Sequence, residues 1–165
     1  MRLLTFGLAN TEEELVRLCD NSKDGGACIY VEDYILKDAL HRLGEPHVDL
    51  VLDARNFPDP HRRKITSHPG FYPENMNRIV QNTEFKPYLE DISKKKWRRA
   101  VTKQMEARPG LPLQMVVAVY CRSGKHRSLA VAECLSHIGE TVEGLMFLAP
   151  VKNFAKPRWG NEMCT

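Results

Sequence analysis

Leu113-Gln-Met-Val-Val-Ala-Val-Tyr120, then Cys121-Arg122-Ser123-Gly124-Lys125-His126-Arg127-Ser128, then Leu129-Ala-Val-Ala-Glu-Cys-Leu-Ser-His-Ile138, is the stretch that decides the fold. The first segment is apolar and β-branched, the pattern of a buried strand. The last reads as a helix, and a tight polar turn separates the two. A strand that passes through such a turn into a helix aims several backbone N–H groups and a helix N-terminus at one point, and such a point holds an anion. Four residues of the turn are or can be cationic (Arg122, Lys125, His126 and Arg127), and a thiol sits at its first position.

Upstream, the same alternation of strand and helix recurs. Arg2–Ala9 reads as a strand. Thr11 is placed to cap a helix running to about Cys19, with Glu14 completing a capping box. Residues 21–26 form a polar, glycine-bearing loop. Glu32–Leu43 is amphipathic, with Ile35, Leu36, Ala39, Leu40 and Leu43 on one side, and Gly44 and Pro46 stop it. Val48–Asp53 is a short apolar run ending in a carboxylate, consistent with a buried parallel strand. Residues 54–73 carry four prolines and no periodicity. So long an irregular stretch in a compact domain is often functional. Helical patterning fills Glu74 to about Ala107, interrupted near Pro87 and ended by Pro109, Gly110 and Pro112. Beyond Gly139, Val142–Leu148 is a candidate last strand and residues 149–165 read as an irregular tail. Strands alternating with helices predict an α/β fold, a single-layer, mainly parallel sheet flanked by helices over residues 1–148, with ligand loops at the strands' carboxyl ends. If the strands ending at Asp53 and Tyr120 are neighbours, their loops face one crevice.

The chain has 165 residues, 42% of them hydrophobic, enough for a real core in one domain. No run approaches the length of a membrane span, and the first residues turn polar too soon for a signal peptide. Five cysteines without a CxxC pair point to free thiols in a reducing, cytoplasmic compartment. No cluster has metal-ligand spacing, so neither a metal nor a cofactor is expected. The net charge of +3 is too mild to announce a nucleic-acid binder. Its distribution is more informative: Lys94, Lys95, Lys96, Trp97, Arg98 and Arg99 form a compact basic run around one aromatic residue. A solvated helix face is the plain reading of such a run.

In the 121–128 turn, backbone N–H groups and a bidentate Arg127 would hold a phosphate. Ser123 and Gly124 keep the turn small, and Gly124 permits positive φ. Cys121 would sit beneath the anion, beside a guanidinium and a helix N-terminus, with Ser128 close enough to donate to it. Such surroundings lower a cysteine pKa and suit in-line attack. The alternative is a small buried residue chosen for packing. The turn is not a GxxxxGK[ST] loop, since His126 follows Gly124-Lys125 and Val119 stands where the first glycine belongs, which argues against ATP hydrolysis. On the 53–61 segment, Asp53 could orient His126 or Arg127, or serve as an acid. Arg55 and His61 could complete the pocket, stiffened by Pro58 and Pro60.

Together, DARNFPDPH (53–61) and YCRSGKHRS (120–128) resemble the C-terminal domain of the bacterial RNase adapter protein RapZ, whose family carries D-x-R-F-x-P-N-P-H and G-C-x-G-G-x-H-R-S segments. Asp53, Arg55, Pro58, Pro60 and His61 match the first, and Cys121, Gly124, His126, Arg127 and Ser128 the second. Asn56 and Asp59 replace Phe and Asn, Tyr120 and Ser123 replace glycines, and Arg122 adds a cation. The resemblance implies a module that binds a phosphorylated aminosugar and RNA without catalysis. The basic run at 94–99 would then be an RNA surface, through phosphate contacts and stacking on Trp97. A second resemblance, to cysteine-dependent phosphatases with a C-x5-R-[ST] signature, rests on Cys121, Arg127 and Ser128. It would make Cys121 the nucleophile and Asp59 or Asp53 the acid.

The expectation is therefore a regulatory, anion-binding domain. Asp53, Arg55, His61 and residues 121–128 would hold a phosphorylated small molecule. Binding would order the 54–73 loop and so report to RNA or a protein partner. The alternatives are a phosphatase and an RNA-binding module with no small ligand.

Overall fold

The computed structural model describes residues 1–7, 33–42, 44–57, 73–122, 124, 126–142 and 152–154. In chain order the elements are β1 (Arg2–Gly7), α1 (Asp33–Arg42), β2 (Leu50–Asp53), α2 (Pro73–Val80), α3 (Phe85–Asp91), a π-helical segment (Ile92–Trp97), α4 (Arg98–Ala107), β3 (Val116–Cys121), α5 (Arg127–Val142) and β4 (Lys152–Phe154). The strands form one sheet in the order β2-β3-β1-β4. Every pairing in it is parallel, with Arg2 opposite Val116, Leu50 opposite Val117 and Leu4 opposite Lys152.

The near-continuous apolar strands are explained by burial on both faces. One face carries Leu3, Leu52, Val117 and Val119, covered by Ile79, Phe85, Ile92, Trp97 and the Ala130–Leu135 side of α5. The other carries Leu4, Phe6, Val51, Ala118 and Tyr120 beneath Leu36, Ala39 and Leu40 of α1. The expected α/β architecture with its flanked parallel sheet is thus the one observed. Among the described residues, no helix is long and apolar enough to cross a membrane.

Several elements differ from the sequence-based expectation. The helical break falls at residues 81–84, ahead of Pro87, where the Asn82 side chain accepts the Glu84 N–H at 2.9 Å and the Asn82 carbonyl accepts the Phe85 N–H at 3.0 Å. Pro87 then lies in the first turn of α3, where its missing N–H costs nothing. Residue 142, placed at the start of a last strand, instead ends α5, and 143–148 lie outside the described residues. A three-residue strand, β4, occurs at 152–154, inside the stretch read as an irregular tail, and pairs in parallel with β1. The helix placed at 11–19 lies outside the described residues, as do Leu43 and most of the 54–73 loop.

The helical arm of α3, the π-helical segment and α4 lies along edge strand β2 and is bonded at both its ends. Tyr88 donates its hydroxyl to the Asp53 carbonyl at the carboxyl end. Gln104 donates to the Asp49 carboxylate at the amino end (2.6 Å). Between these, Ile92 and Trp97, five residues apart, are both buried. The wider turn of the π-helical segment brings both inward, with the Arg98 N–H bonding to the Ser93 carbonyl, while Lys94, Lys95 and Lys96 face solvent.

Candidate functional site

β2 and β3 are neighbours, and Asp53 stands opposite Tyr120 in their register. The Ala54 N–H continues the ladder to the Tyr120 carbonyl at 2.7 Å. The two motif-bearing segments therefore leave the sheet side by side at its carboxyl crest, the place where open α/β sheets bind ligands. The N-terminus of the sixteen-residue helix α5 begins at the same crest, at Arg127.

The turn after β3 is pinned from below. Gly124 has φ +73°, and a Cβ there would lie 2.7 Å from the Gly7 nitrogen and 2.8 Å from the Phe6 carbonyl carbon. Only glycine meets both demands, a left-handed backbone and close approach to the end of β1. The Cys121 thiol is buried and accepts the Gly124 N–H at 3.2 Å, closing the turn. The buried Ser128 hydroxyl lies 3.4 Å from the same sulfur.

The loop after β2 is held by charge and by packing. The Asp53 carboxylate takes the Arg55 backbone N–H at 2.9 Å and its guanidinium at 2.8–3.2 Å. That guanidinium lies 5.2 Å from the centre of the Tyr120 ring. Phe57 is buried between Phe85 and Tyr88, with ring centroids at 5.2 and 5.0 Å. Arg127 ties the two loops together, donating from Nη1 to the Phe57 carbonyl at 2.8 Å and the Arg55 carbonyl at 3.1 Å. Its Nε is buried with no hydrogen-bond partner among the described residues. Burial, and then the Asp53 carboxylate, push the Tyr88 and Tyr120 phenols well above the usual tyrosine range, so both act as neutral hydroxyls.

The structure thus brings together Asp53, Arg55, Cys121, Gly124, Arg127 and Ser128, with His126 buried at the entrance to α5 and Arg122 half-buried beside it. Ser123, Lys125, Asp59 and His61 lie outside the described residues. The Arg55 side chain is 3% exposed and paired with Asp53. Asp53 is correspondingly engaged by Arg55. In the basic run, Lys94, Lys95, Lys96, Arg98 and Arg99 are exposed, whereas Trp97 is fully buried in the core. Lys94 and Lys95 also form i,i+4 pairs with Glu90 and Asp91. Sequence reasoning missed Gly7, Tyr88 and Tyr120 as parts of the site. A glycine closing an apolar strand was the signal available for Gly7, whereas nothing local marked Tyr88.

A parallel α/β sheet with a glycine-pinned Cys-x5-Arg-Ser turn beside an Asp-x-Arg loop at its carboxyl crest defines the class of domain. The RapZ C-terminal domain model matches residues 39–144, more than half of the chain and both loops, and the chain belongs to that family. It is 31% identical over 93 residues to a nucleotide-binding protein of Brevibacillus brevis, covering 56% of this chain and 29% of that one. It is 32% identical over 105 residues to a nucleotide-binding protein of an Anaeromyxobacter species, covering 62% and 33%. A nucleotide-binding protein of Paramagnetospirillum magneticum is 28% identical over 121 residues, covering 68% and 35%. The chain spans about a third of the length of the curated relatives it matches.

Proposed function

We propose that the domain is a phosphate-binding regulatory module that holds a phosphorylated small molecule where the β2 and β3 loops meet. The observation that carries this reading is the Asp53–Tyr120 register, which sets both family motifs beside the N-terminus of α5. Helix dipole, turn N–H groups and the unpartnered Arg127 Nε would bind the phosphate, with Arg122 and Lys125 adding charge. Asp53 and Arg55 would keep the loop in place rather than touch the ligand. The family suggests an aminosugar phosphate as the ligand, and the relatives' names suggest a nucleotide. Calorimetric titration with glucosamine 6-phosphate, AMP and uncharged glucosamine separates these. Binding of a phosphate monoester, weakened about tenfold by Arg127→Lys through loss of the planar fork, supports the reading. Equal binding of the uncharged sugar overturns it.

A second reading, a C-x5-R phosphatase, draws on the two donors within reach of the Cys121 sulfur, the Gly124 N–H and the Ser128 hydroxyl. Against it, the described bonds of Arg127 go to loop carbonyls. Hydrolysis of an aryl phosphate by the wild type but not by Cys121→Ser would establish it. An RNA partner, if recruited, would meet Lys94, Lys95, Lys96, Arg98 and Arg99 through its phosphates alone, with a salt-dependent affinity that charge reversal of these residues abolishes.

A further inference from the structure

Phe57 faces two ways. Its carbonyl accepts an N–H from Arg127 Nη1 at 2.8 Å. Its ring, 1% exposed, is wedged between two rings of α3. The Phe85 ring meets it nearly at right angles (81°, 5.2 Å between centroids), and the Tyr88 ring is tilted against it (52°, 5.0 Å). The loop that carries Phe57 is fastened at its other end as well, where the Tyr88 hydroxyl donates to the Asp53 carbonyl. Between these two fastenings, Arg127 also donates to the Arg55 carbonyl at 3.1 Å. The guanidinium nearest the turn after β3 is thus held by the carbonyl of a residue whose side chain is packed into the helical arm.

A guanidinium is a rigid planar fork, so an anion that engages Arg127 Nε also fixes the direction of Nη1. Fixing Nη1 holds the Phe57 carbonyl, and a close-packed ring does not stay behind when its backbone is held or released. The arm has a soft place to receive the effect. The π-helical segment Ile92–Trp97 follows directly on α3 and departs from regular α-helical bonding. We infer that Phe57 is a positioning residue of the crest, coupling anion occupancy at Arg127 to the order of the helical arm. The inference rests on the phosphate-binding reading above. Such coupling is reciprocal: an anion that tightens the arm binds more weakly once the arm is loosened.

The test combines calorimetry with amide hydrogen exchange read by mass spectrometry, on the full chain, with inorganic phosphate as the probe. In the wild type, saturating phosphate should slow exchange in peptides within 85–97 about threefold and leave α1, on the other face of the sheet, unchanged. Phe57→Leu should bind phosphate about fivefold more weakly and lose the slowing at 85–97. Ala39→Gly separates positioning from general destabilisation. It loosens α1 beneath the opposite face, so it should lower the urea midpoint yet keep both the phosphate affinity and the slowing. If Phe57→Leu does not fold, Tyr88→Phe takes its place, since it removes only the hydroxyl bond to the Asp53 carbonyl and should diminish the slowing. Three results would overturn the inference and leave the phosphate reading standing: phosphate binding with unchanged exchange at 85–97, wild-type affinity in Phe57→Leu, or an equal loss of affinity in Ala39→Gly. No phosphate binding by the wild type would overturn both.

Discussion

Asp49 and Asp53 stand at the two ends of the same short strand, and they do opposite things. Asp49 is 9% exposed and gathers three donors, from the Val116 backbone, Gln104 and His47, fastening β2 to β3 and to α4. Asp53 is more open and binds its own neighbour Arg55, shaping a loop rather than joining elements. The same side chain is structural where it accepts from the Val116 backbone and from Gln104 of α4, and shapes the loop where its guanidinium partner is Arg55. The helical arm meets both ends, which makes the comparison testable.

The largest effect should come from removing what holds the arm to the sheet. Trp97→Ala leaves a cavity in the core and should cost about 3–5 kcal/mol, measured by urea unfolding. Because the arm touches both ends of β2, phosphate binding should weaken as well. Gly124→Ala should act at the carboxyl end alone. The imposed positive φ and the collision with Gly7 should cost about 2–4 kcal/mol and abolish phosphate binding by calorimetry. Asp49→Ala should do the reverse. Leaving the Val116 N–H without its acceptor should cost about 2 kcal/mol while phosphate affinity stays within about twofold. If Asp49→Ala impairs binding as much as Gly124→Ala does, the two ends are not separate in role. Tyr88→Phe removes one hydroxyl bond from the arm to Asp53 and should cost about 1 kcal/mol. Lys95→Ala breaks an exposed pair with Asp91 and should shift the urea midpoint by less than about 0.5 kcal/mol.

What the sequence disclosed follows the same division. The strand, turn and helix over 113–138 could be read from apolar runs and one polar turn, and so could the strand at 48–53, because burial on both faces leaves long unbroken apolar segments. Residues whose roles depend on partners far along the chain could not. Tyr88 looked like one polar aromatic in a helix, and its role arises only when α3 lies against β2. Trp97 sits among five cations and reads as an exposed aromatic. The π-helical segment turns it inward while leaving the lysines outside, and no helical period foretells that shift. β4 is three residues long, too short to show an alternation. Val142–Leu148 had the composition of a strand, but at its first residue the helix is still running, as continuity from α5 dictates.

The crest where the two loops meet is also a join between distant parts of the chain. Its floor is Gly7 and its roof is Gly124, and β1 lies between β3 and β4, both of which come far later in sequence. A ribosome therefore delivers the floor early and must nearly finish the domain before the roof exists. Until β3 has been translated, β1 has no strand to pair with in the described sheet, and Leu3, Leu4 and Phe6 present apolar side chains on both its sides. Such a topology folds slowly for its size and leaves a sticky segment waiting on the nascent chain. A stalled or truncated translation product that ends before Val116 would carry Gly7 and the 53–61 motif but not the 121–128 turn that completes the site, and would be a client for chaperones rather than a weak binder.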